Sequence, residues 1–377
     1  MEAIPKPLQL RSFLDRLSAN KIIEQPDTKD GIILYGSGEL GKLALAYCRN
    51  TGINVRFFLD LSSDSGKFSS ISNIEVFNPE HNFSIDLYAV PVAVCVATFS
   101  FNAIKCYLAD IGWKTIFPFY QLANKPSPFF PLSNGWLIGD LSDTDKARIN
   151  FVYDHLEDDC SREHYKNFMA WHSDYQEEIN PEYPIEPAHR YIIEPLIDFL
   201  KEKSHCVIDA GAHHVQLLDI LLAQRMSIDE YHAFEPDPSS HEVILSKFHN
   251  KSFPCSLYQN VVTAETNVDV PFFAGLNYCS KISTYGSLSI NSVSVDSMCL
   301  RPTIIKYHTE GSELNCLKGS SATINECHPL IMTSLYHNRD GLCETAYYFM
   351  NAHKNYRYYF RLHSYQGTGF FMYAVPT

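Results

Sequence analysis

The residue types best suited to chemistry occur in the C-terminal half, where a glycine turn and an acid follow apolar runs. Asp209-Ala210-Gly211-Ala212 comes directly after Cys206-Val207-Ile208, and Glu235 follows the apolar run at 231–234. A glycine turn lets a ligand approach the backbone, and a carboxylate at the end of the next strand can accept hydrogen bonds from both hydroxyls of a ribose. The spacing therefore predicts a site for a ribose-containing ligand.

A second glycine pattern lies closer to the N-terminus. Gly36, Gly38 and Gly41 have the spacing G-x-G-x-x-G after an apolar run at 32–35, and Asp60 lies 24 positions beyond Gly36. In dinucleotide-binding folds these glycines make a tight turn, admit a pyrophosphate and pack the helix, while the acid binds a ribose. The pattern predicts a bound nucleotide or nucleotide-sugar, or a domain of this type whose glycines serve packing alone.

Both patterns require the same elements, namely an apolar strand, a glycine turn, an amphipathic helix and a second strand that ends in an acid. This rhythm predicts an α/β fold, with a smaller N-terminal Rossmann-like domain over 1–125 and a second α/β domain over 205–377. The stretch 126–204 lacks the rhythm and is rich in Pro, Asp, Glu and Tyr. We interpret it as a connector that is helical at about 143–171.

Finer features of the second α/β domain are also predicted. We expect one strand near 257–262, a hairpin-type excursion at 271–274 and 292–295, and an antiparallel sheet edge at 356–362 and 370–374, where turn and strand patterns alternate.

Composition and charge limit the partners. The 377 residues carry a net charge of −13, which argues against a nucleic-acid partner. The N-terminal stretch lacks a signal-peptide core, and the apolar runs are too short to span a bilayer, so we expect a cytoplasmic protein without a membrane partner.

The 11 cysteines form no CxxC pair, which favours reduced thiols. The 16 histidines show no HExxH or HxH spacing, so we expect no metal site.

Further motifs follow the second glycine pattern in order along the chain. They are Ala233-Phe234-Glu235-Pro236-Asp237-Pro238, Val293-Ser294-Val295-Asp296, Ile305-Lys306-Tyr307-His308-Thr309-Glu310-Gly311-Ser312-Glu313-Leu314, Leu317-Lys318-Gly319 and Leu335-Tyr336-His337. This order resembles the FkbM family of methyltransferases, whose hallmark is a Lys-x-Asp-x-Glu-Gly-x-Glu segment. The resemblance covers about 188 to the C-terminus, and the N-terminal half resembles the Rossmann-like partner domain of some members. It implies a class I methyltransferase domain, of Rossmann-like fold, over 205–377.

The resemblance also implies an activity and a set of site residues. Members of the family are expected to transfer a methyl group from S-adenosylmethionine to a hydroxyl of a small metabolite, sugar or glycan. The implied cofactor-binding residues are Asp209, Gly211, Ala212, His213, Glu235 and Asn260. The implied catalytic residues are His308, Glu310 and His337, although Glu310 could instead cap the helix that follows it. The sequence also allows a homodimer.

Two positions depart from the family pattern. Val215 stands where the family has the last glycine of its turn, and its branched side chain would crowd the cofactor unless the helix starts slightly displaced. His308 stands where the family has aspartate, and it could act as a base near neutral pH or pack under a loop.

These departures support an alternative, in which a degenerate methyltransferase fold serves as a non-catalytic binding or regulatory protein. A nucleotide-dependent oxidoreductase is disfavoured, because the first segment has no Tyr-x-x-x-Lys pair.

Overall fold

A computed structural model describes residues 7–17, 23–63, 69–124 and 127–377. Its strands, in chain order, are β1 (Ile32–Tyr35), β2 (Val55–Leu59), β3 (Ser69–Ile71), β4 (Ile74–Phe77), β5 (Val92–Val94), β6 (Ile116–Pro118), β7 (His205–Ala210), β8 (Ile228–Phe234), β9 (Cys255–Tyr258), β10 (Val261–Val262), β11 (Asp269–Phe273), β12 (Lys281–Ile282), β13 (Leu288–Val293), β14 (Ile304–Tyr307), β15 (Leu330–Ser334), β16 (Tyr356–Leu362) and β17 (Phe370–Pro376). Its α-helices are α1 (Pro7–Leu17), α2 (Glu39–Thr51), α3 (Phe101–Asp110), α4 (Asp143–Asp154), α5 (Asp159–Asp174), α6 (Ile197–Glu202), α7 (Gln216–Ala223), α8 (His241–Phe248), α9 (Glu313–Lys318), α10 (Ser321–Cys327) and α11 (Ala346–Ala352).

The first sheet contains the N-terminal glycine pattern and has the strand order β3-β4-β2-β1-β5-β6. Its strands are parallel except β3, which pairs antiparallel with β4. Successive side chains of β1 point to opposite faces of the sheet. Ile32 and Leu34 therefore pack in the same cluster as Leu43 of α2, while Ile33 packs in the same cluster as Leu108 of α3. The sequence did not predict β3 and β4, which are short and only partly buried.

The second sheet has the order β16-β17-β15-β14-β7-β8-β9. Strands β7, β8, β9, β14 and β15 are parallel, β17 is antiparallel to β15, and β16 is antiparallel to β17. The predicted antiparallel edge is thereby confirmed. The strand order reverses between β7 and β14, so the carboxyl ends of these two neighbours face the crevice in which open α/β sheets bind ligands.

A small third sheet has the strand order β10-β13-β11-β12, and its strands lie between β9 and β14 in the sequence. The hairpin-type excursion that we predicted is the antiparallel pair β11 and β13. The single strand predicted near 257–262 was wrong in extent, because β9 pairs with β8 whereas β10 pairs with β13 of the third sheet. Residues 274–280, which link β11 to β12, are called the 274–280 segment below. Its Leu276 and Cys279 belong to the apolar core of the first sheet.

The stretch of the connector predicted to be helical at about 143–171 forms two helices, α4 and α5, and the connector also contains the short helix α6. Helix α4 ends at Asp154, and Asp158 starts α5 because its carboxylate accepts the N–H of Ser161. Phe168 of α5 stacks on Phe370 of β17 at a centroid distance of 4.3 Å. Trp171 of the same helix packs in the core beside α3, so α5 contacts both halves of the protein.

Helix α1 does not follow the predicted division of the chain. The sequence grouped residues 1–125 with the first sheet, but Leu10 and Leu17 pack in the core of the second sheet, and α1 contacts α4 and α5. The predicted boundary between 125 and 126 itself lies outside the described residues, and the division into domains stays a prediction.

In the described ranges, no helix has both the length and the apolar character needed to span a membrane. All 11 cysteines are free thiols.

Candidate functional site

A cleft lies at the carboxyl ends of β7, β8, β9 and β14, at the point where the strand order reverses. Six of the predicted site residues line this cleft: Gly211, His213, Glu235, Asn260, His308 and Glu310. The structure therefore brings together side chains from four different strand ends. Asp209, Ala212 and His337 are buried beside the cleft and are not among the described residues that line it.

The turn after β7 has room for glycine alone at position 211. Gly211 has φ +72°, and a Cβ atom there would lie 1.9 Å from the carbonyl oxygen of His308. Lys306 of β14 also fixes the turn, because its Nζ donates to Asp209 Oδ1 at 2.7 Å and to the Gly211 carbonyl oxygen at 2.8 Å. Asp209 is fully buried and also accepts a hydrogen bond from the Tyr231 hydroxyl. Its observed contacts thus hold β7, β8 and β14 together behind the glycine turn.

Val215 keeps the backbone conformation of a glycine. It precedes α7 with φ +48°, a left-handed conformation that costs a β-branched residue about 1–2 kcal/mol. Its side chain is fully buried in the core of the second sheet, and Val215 is not among the described residues that line the cleft. The valine side chain therefore packs in this core rather than on the surface of the cleft.

Glu235 projects from the end of β8 and is 6% exposed. Its Oε2 accepts the His213 N–H at 2.7 Å, and its Oε1 accepts the Asp237 N–H at 2.8 Å. Burial raises the pKa of Glu235 to about 7, although these two hydrogen bonds and the charge of Lys306 oppose the increase. Each carboxylate oxygen keeps acceptor capacity for a ligand hydroxyl.

His213 and Asn260 flank Glu235 along the cleft. The His213 ring stacks on His214 at 3.8 Å, and its Nδ1 lies 3.3 Å from Ser240 Oγ. Burial lowers the pKa of His213 to about 4, so the ring is neutral at physiological pH. The Asn260 side chain donates to the Asn291 carbonyl oxygen at 2.9 Å.

Four ionisable side chains meet at the ends of β14 and β15, and we call His308, Glu310, Glu313 and His337 the His/Glu cluster. His337 lies at its centre, with Nδ1 2.7 Å from Glu313 Oε1 and Nε2 2.9 Å from Glu310 Oε1. His308 Nε2 lies 3.9 Å from Glu310 Oε1. Burial disfavours the charged form of His337, but the two carboxylates outweigh it and raise the pKa of His337 to about 9. Burial, with the charge of His337, lowers the pKa of His308 well below its ordinary value.

Glu313, the first residue of α9, fixes the loop that precedes this helix. Its carboxylate accepts the N–H groups of Thr309 and Gly311 at 3.0 Å each, just before α9, and it also accepts the Ser334 hydroxyl. Glu310 has φ +53°, and its Oε2 is buried without a hydrogen-bond partner among the described residues. The capping alternative for Glu310 is therefore wrong, because Ser312 is the residue before α9 and no described side chain makes a capping hydrogen bond to this helix.

Two tyrosines complete the surroundings of His308, and neither is among the site residues predicted from the sequence. The Tyr336 hydroxyl lies 2.8 Å from His308 Nε2, and the Tyr191 hydroxyl lies 3.3 Å from His308 Nδ1. Tyr191 belongs to the connector, and only the folded chain brings it to His308.

The cleft is small, with a volume of about 50 Å³. Pockets for drug-sized ligands typically have ~300–1,000 Å³. The 274–280 segment covers the cleft, and its Asn277 and Tyr278 line it. Asp237 holds this segment, because its Oδ2 accepts the Gly275 N–H at 2.8 Å and the Ser280 hydroxyl. A nucleoside-sized ligand thus requires the segment to move.

The N-terminal glycine pattern lies at the corresponding position of the first sheet. Gly36 and Asp60 line a separate cleft of about 330 Å³, together with the exposed side chains of Leu61 and Phe99. Asp60 is already hydrogen-bonded, because Oδ2 accepts the N–H and hydroxyl of Ser37, while Oδ1 accepts those of Ser62. A ribose would have to compete with these bonds.

The three glycines of this pattern differ in their surroundings. A Cβ atom on Gly36 would lie 2.5 Å from Val96, and one on Gly41 would lie 2.0 Å from the Gly36 carbonyl oxygen. A Cβ atom on Gly38 would meet nothing within 4 Å. Packing therefore explains Gly36 and Gly41, whereas a nucleotide at this cleft stays a prediction.

The described chain is a mixed α/β protein with parallel-rich sheets, consistent with a Rossmann-like methyltransferase fold. Among solved structures, it is similar to the crystal structure of methyltransferase FkbM from Methylobacillus flagellatus KT, with a TM-score of 0.62 and 16% sequence identity. The similarity covers 98% of this chain and 93% of that one, so the fold is alike over both halves. No protein-family model matches the sequence, and no curated protein matches it.

Proposed function

We propose that this protein is an S-adenosylmethionine-dependent methyltransferase that acts on a hydroxyl group of a small metabolite, sugar or glycan. One observation carries the proposal: Gly211, Glu235 and the His/Glu cluster meet in one cleft at the strand reversal of a fold like that of a methyltransferase. Ligand-binding sites of open α/β sheets occur at such reversals.

Glu235 suits the ribose of the cofactor. It is a buried carboxylate at the end of β8, each of its oxygens accepts a single backbone N–H, and both oxygens can accept a further hydroxyl. The Gly211 turn leaves the backbone open beside it for the amino-acid part of the cofactor. When bound, S-adenosylmethionine supplies an electrophilic methyl group on a sulfonium.

The acceptor's hydroxyl group suits the other end of the cleft, beside His308 and Glu310. Glu310 Oε2 is a buried carboxylate oxygen without a hydrogen-bond partner in the described part of the chain, and it can accept the hydrogen bond of an incoming hydroxyl. The residues of this end hold and orient the acceptor, which is the main task of a protein that uses a preactivated methyl donor. Closure by the 274–280 segment would exclude water.

A non-catalytic binding protein is the second candidate. The small volume of the covered cleft favours it, as does the hydrogen-bonded anchoring of the 274–280 segment on Asp237. In this alternative the fold is retained while the cofactor no longer enters.

Hydrogen–deuterium exchange with S-adenosylhomocysteine, the demethylated cofactor, separates the two candidates. A bound cofactor should slow amide exchange at 211–216 and 235–240, which flank the cleft. Unchanged exchange in both segments at millimolar ligand would refute the methyltransferase and leave the binding protein. Added adenosine triphosphate serves as a control, because it should leave both segments unchanged.

A further inference from the structure

Three potential metal ligands of the His/Glu cluster converge although the sequence predicted no metal site. His308 follows β14, His337 lies beyond the end of β15, and Glu310 lies in the loop before α9. One ligand atom from each residue lies within 4.8 Å of the others. The sequence shows no metal-binding motif here, because the two histidines are 29 positions apart. Only the parallel pairing of β14 with β15 brings them together.

One of these ligand atoms is buried without a partner. Glu310 Oε2 has no hydrogen-bond partner among the described residues, whereas His337 Nε2 is paired with Glu310 Oε1 at 2.9 Å. Burying such a group unpaired costs free energy, so it calls for an explanation. A metal ion between the two residues would give Glu310 Oε2 a partner and would replace the contact of His337 Nε2 with Glu310 Oε1.

Glu313 orients His337 in the manner found at metal sites. It accepts the hydrogen bond of His337 Nδ1 at 2.7 Å, which leaves Nε2 to face Glu310. Glu313 is itself fixed by the N–H groups of Thr309 and Gly311. Histidines that bind metals usually donate their other ring nitrogen to a carboxylate in this way.

The cluster also has one open side. His308 and Glu310 line the cleft, whereas Glu313 and His337 are buried behind them. An ion could enter from the cleft, and its remaining coordination positions would face the cleft. Sites with two histidines, one glutamate and an open position are typical of catalytic zinc.

We infer that His308 Nε2, Glu310 and His337 Nε2 bind one divalent transition-metal ion, with zinc as the best match to this ligand set. His308 Nε2 would exchange its contact with the Tyr336 hydroxyl for the ion, which keeps that oxygen within reach as a further ligand. The ion would hold an oxygen of the acceptor at the cleft. This last clause rests on the proposed function, whereas metal binding itself does not.

Titration of chelator-treated protein with Zn²⁺ in a calorimeter tests the inference without S-adenosylmethionine. We expect one Zn²⁺ per chain with micromolar or tighter affinity. Glu310→Gln and His308→Gln should each weaken binding at least 100-fold, and Glu313→Gln should weaken it 10–100-fold by releasing His337. Co²⁺ should give visible absorption bands in the unaltered protein and lose them in the Glu310→Gln variant.

His232→Gln is the matched control, because His232 with Cys206 and Glu230 forms the other group of potential ligands among the described residues. Zn²⁺ binding weaker than millimolar would overturn the inference, as would binding that survives both Glu310→Gln and His308→Gln or that is lost in His232→Gln. If Glu310→Gln fails to fold, Zn²⁺ titration of the His308→Gln variant tests the inference alone, because His308 is partly exposed and its substitution is less disruptive. Zinc binding without S-adenosylhomocysteine binding would refute the proposed function alone.

Discussion

At the scale of single residues, Glu235 has the clearest physical signature of a ligand site. Burial raises the pKa of this carboxyl group to about 7, and the cleft that it lines gathers predicted site residues from four strand ends, its own included. A structural acid would normally be paired with a cation, but the direct partners of Glu235 are two backbone N–H groups. Such an arrangement leaves the carboxylate available for hydroxyl groups.

We expect the affinity for S-adenosylhomocysteine to depend on pH through Glu235. Ribose hydroxyls donate to the ionised carboxylate, so below pH 7 binding must release a proton. The dissociation constant should therefore increase toward tenfold per pH unit below 7 and stay constant above it. Calorimetry at pH 5.5, 6.5, 7.5 and 8.5 measures this dependence.

Glu235→Gln is the control for the pH dependence. The groups that face Glu235 are Asp237, Lys306, His213 and the His241 ring, whose Nε2 contacts the Glu235 carbonyl oxygen. The amide variant keeps all of them and removes the titrating carboxyl, so its binding should be weaker and independent of pH. A pH dependence that persists in this variant would contradict the assignment.

Most candidate residues could be identified from the sequence, but the contacts among them could not be predicted. His308, Glu310 and His337 were selected separately, because motifs report position along the chain. Their convergence depends on the register of β14 with β15, and the task of Glu313 depends on where α9 begins. Tyr191 belongs to no motif, since the connector reaches His308 only in the folded chain.

At the scale of elements, a buried ion pair joins the strands on either side of the reversal. Lys306 of β14 and Asp209 of β7 are directly paired in register, and their side chains are 4% and 0% exposed. The pair fixes the carbonyl oxygen of Gly211 and with it the turn at the cleft. Removing one partner of a buried pair leaves an uncompensated charge.

We expect Lys306→Met to destabilise the protein by about 3–5 kcal/mol, because Asp209 would stay buried without its cation. Urea denaturation measures the change. The double variant Asp209→Asn/Lys306→Met removes the buried charge as well, and it should recover part of the loss. If the double variant is less stable than Lys306→Met alone, the pair does not act as described.

The sequence predicted strands well where the local apolar pattern alone indicates a strand and the strand pairs within the expected sheet. The apolar run of β1 is a strong local signal, and so is the alternation of turn and strand patterns at β16 and β17. All three strands were predicted. The run at 257–262 is continuous in sequence but belongs to two sheets, because β10 pairs with the distant β13. Strands β3 and β4 stabilise each other at a partly exposed edge, where the apolar pattern is weak.

At the scale of the whole molecule, the 274–280 segment links the two halves. Asp237 of the second half holds it through Gly275 and Ser280, while Leu276 inserts into the core of the first sheet. Because the same segment covers the cleft, opening of the cleft requires rearrangement at the contact between the halves. Helix α1 likewise crosses the predicted division by packing with α4 and α5.

We expect Leu276→Ala to cost about 2–5 kcal/mol in free energy of unfolding, which is the cost of a core truncation although the residue lies in a loop. Leu276 is 3% exposed. Val268→Ala, at a position that is 41% exposed, should change stability by less than about 0.5 kcal/mol. Equal and small effects of the two variants would show that the segment is not part of the core.

Calorimetric titration with S-adenosylhomocysteine, using the unaltered protein and the Glu235→Ala variant, tests the central claim most directly. The methyltransferase assignment predicts micromolar binding, worth about −8 kcal/mol, that Glu235→Ala weakens strongly. His232→Gln, outside the cleft, should bind like the unaltered protein. Absence of binding at millimolar ligand, or binding that Glu235→Ala leaves unchanged, would contradict the assignment.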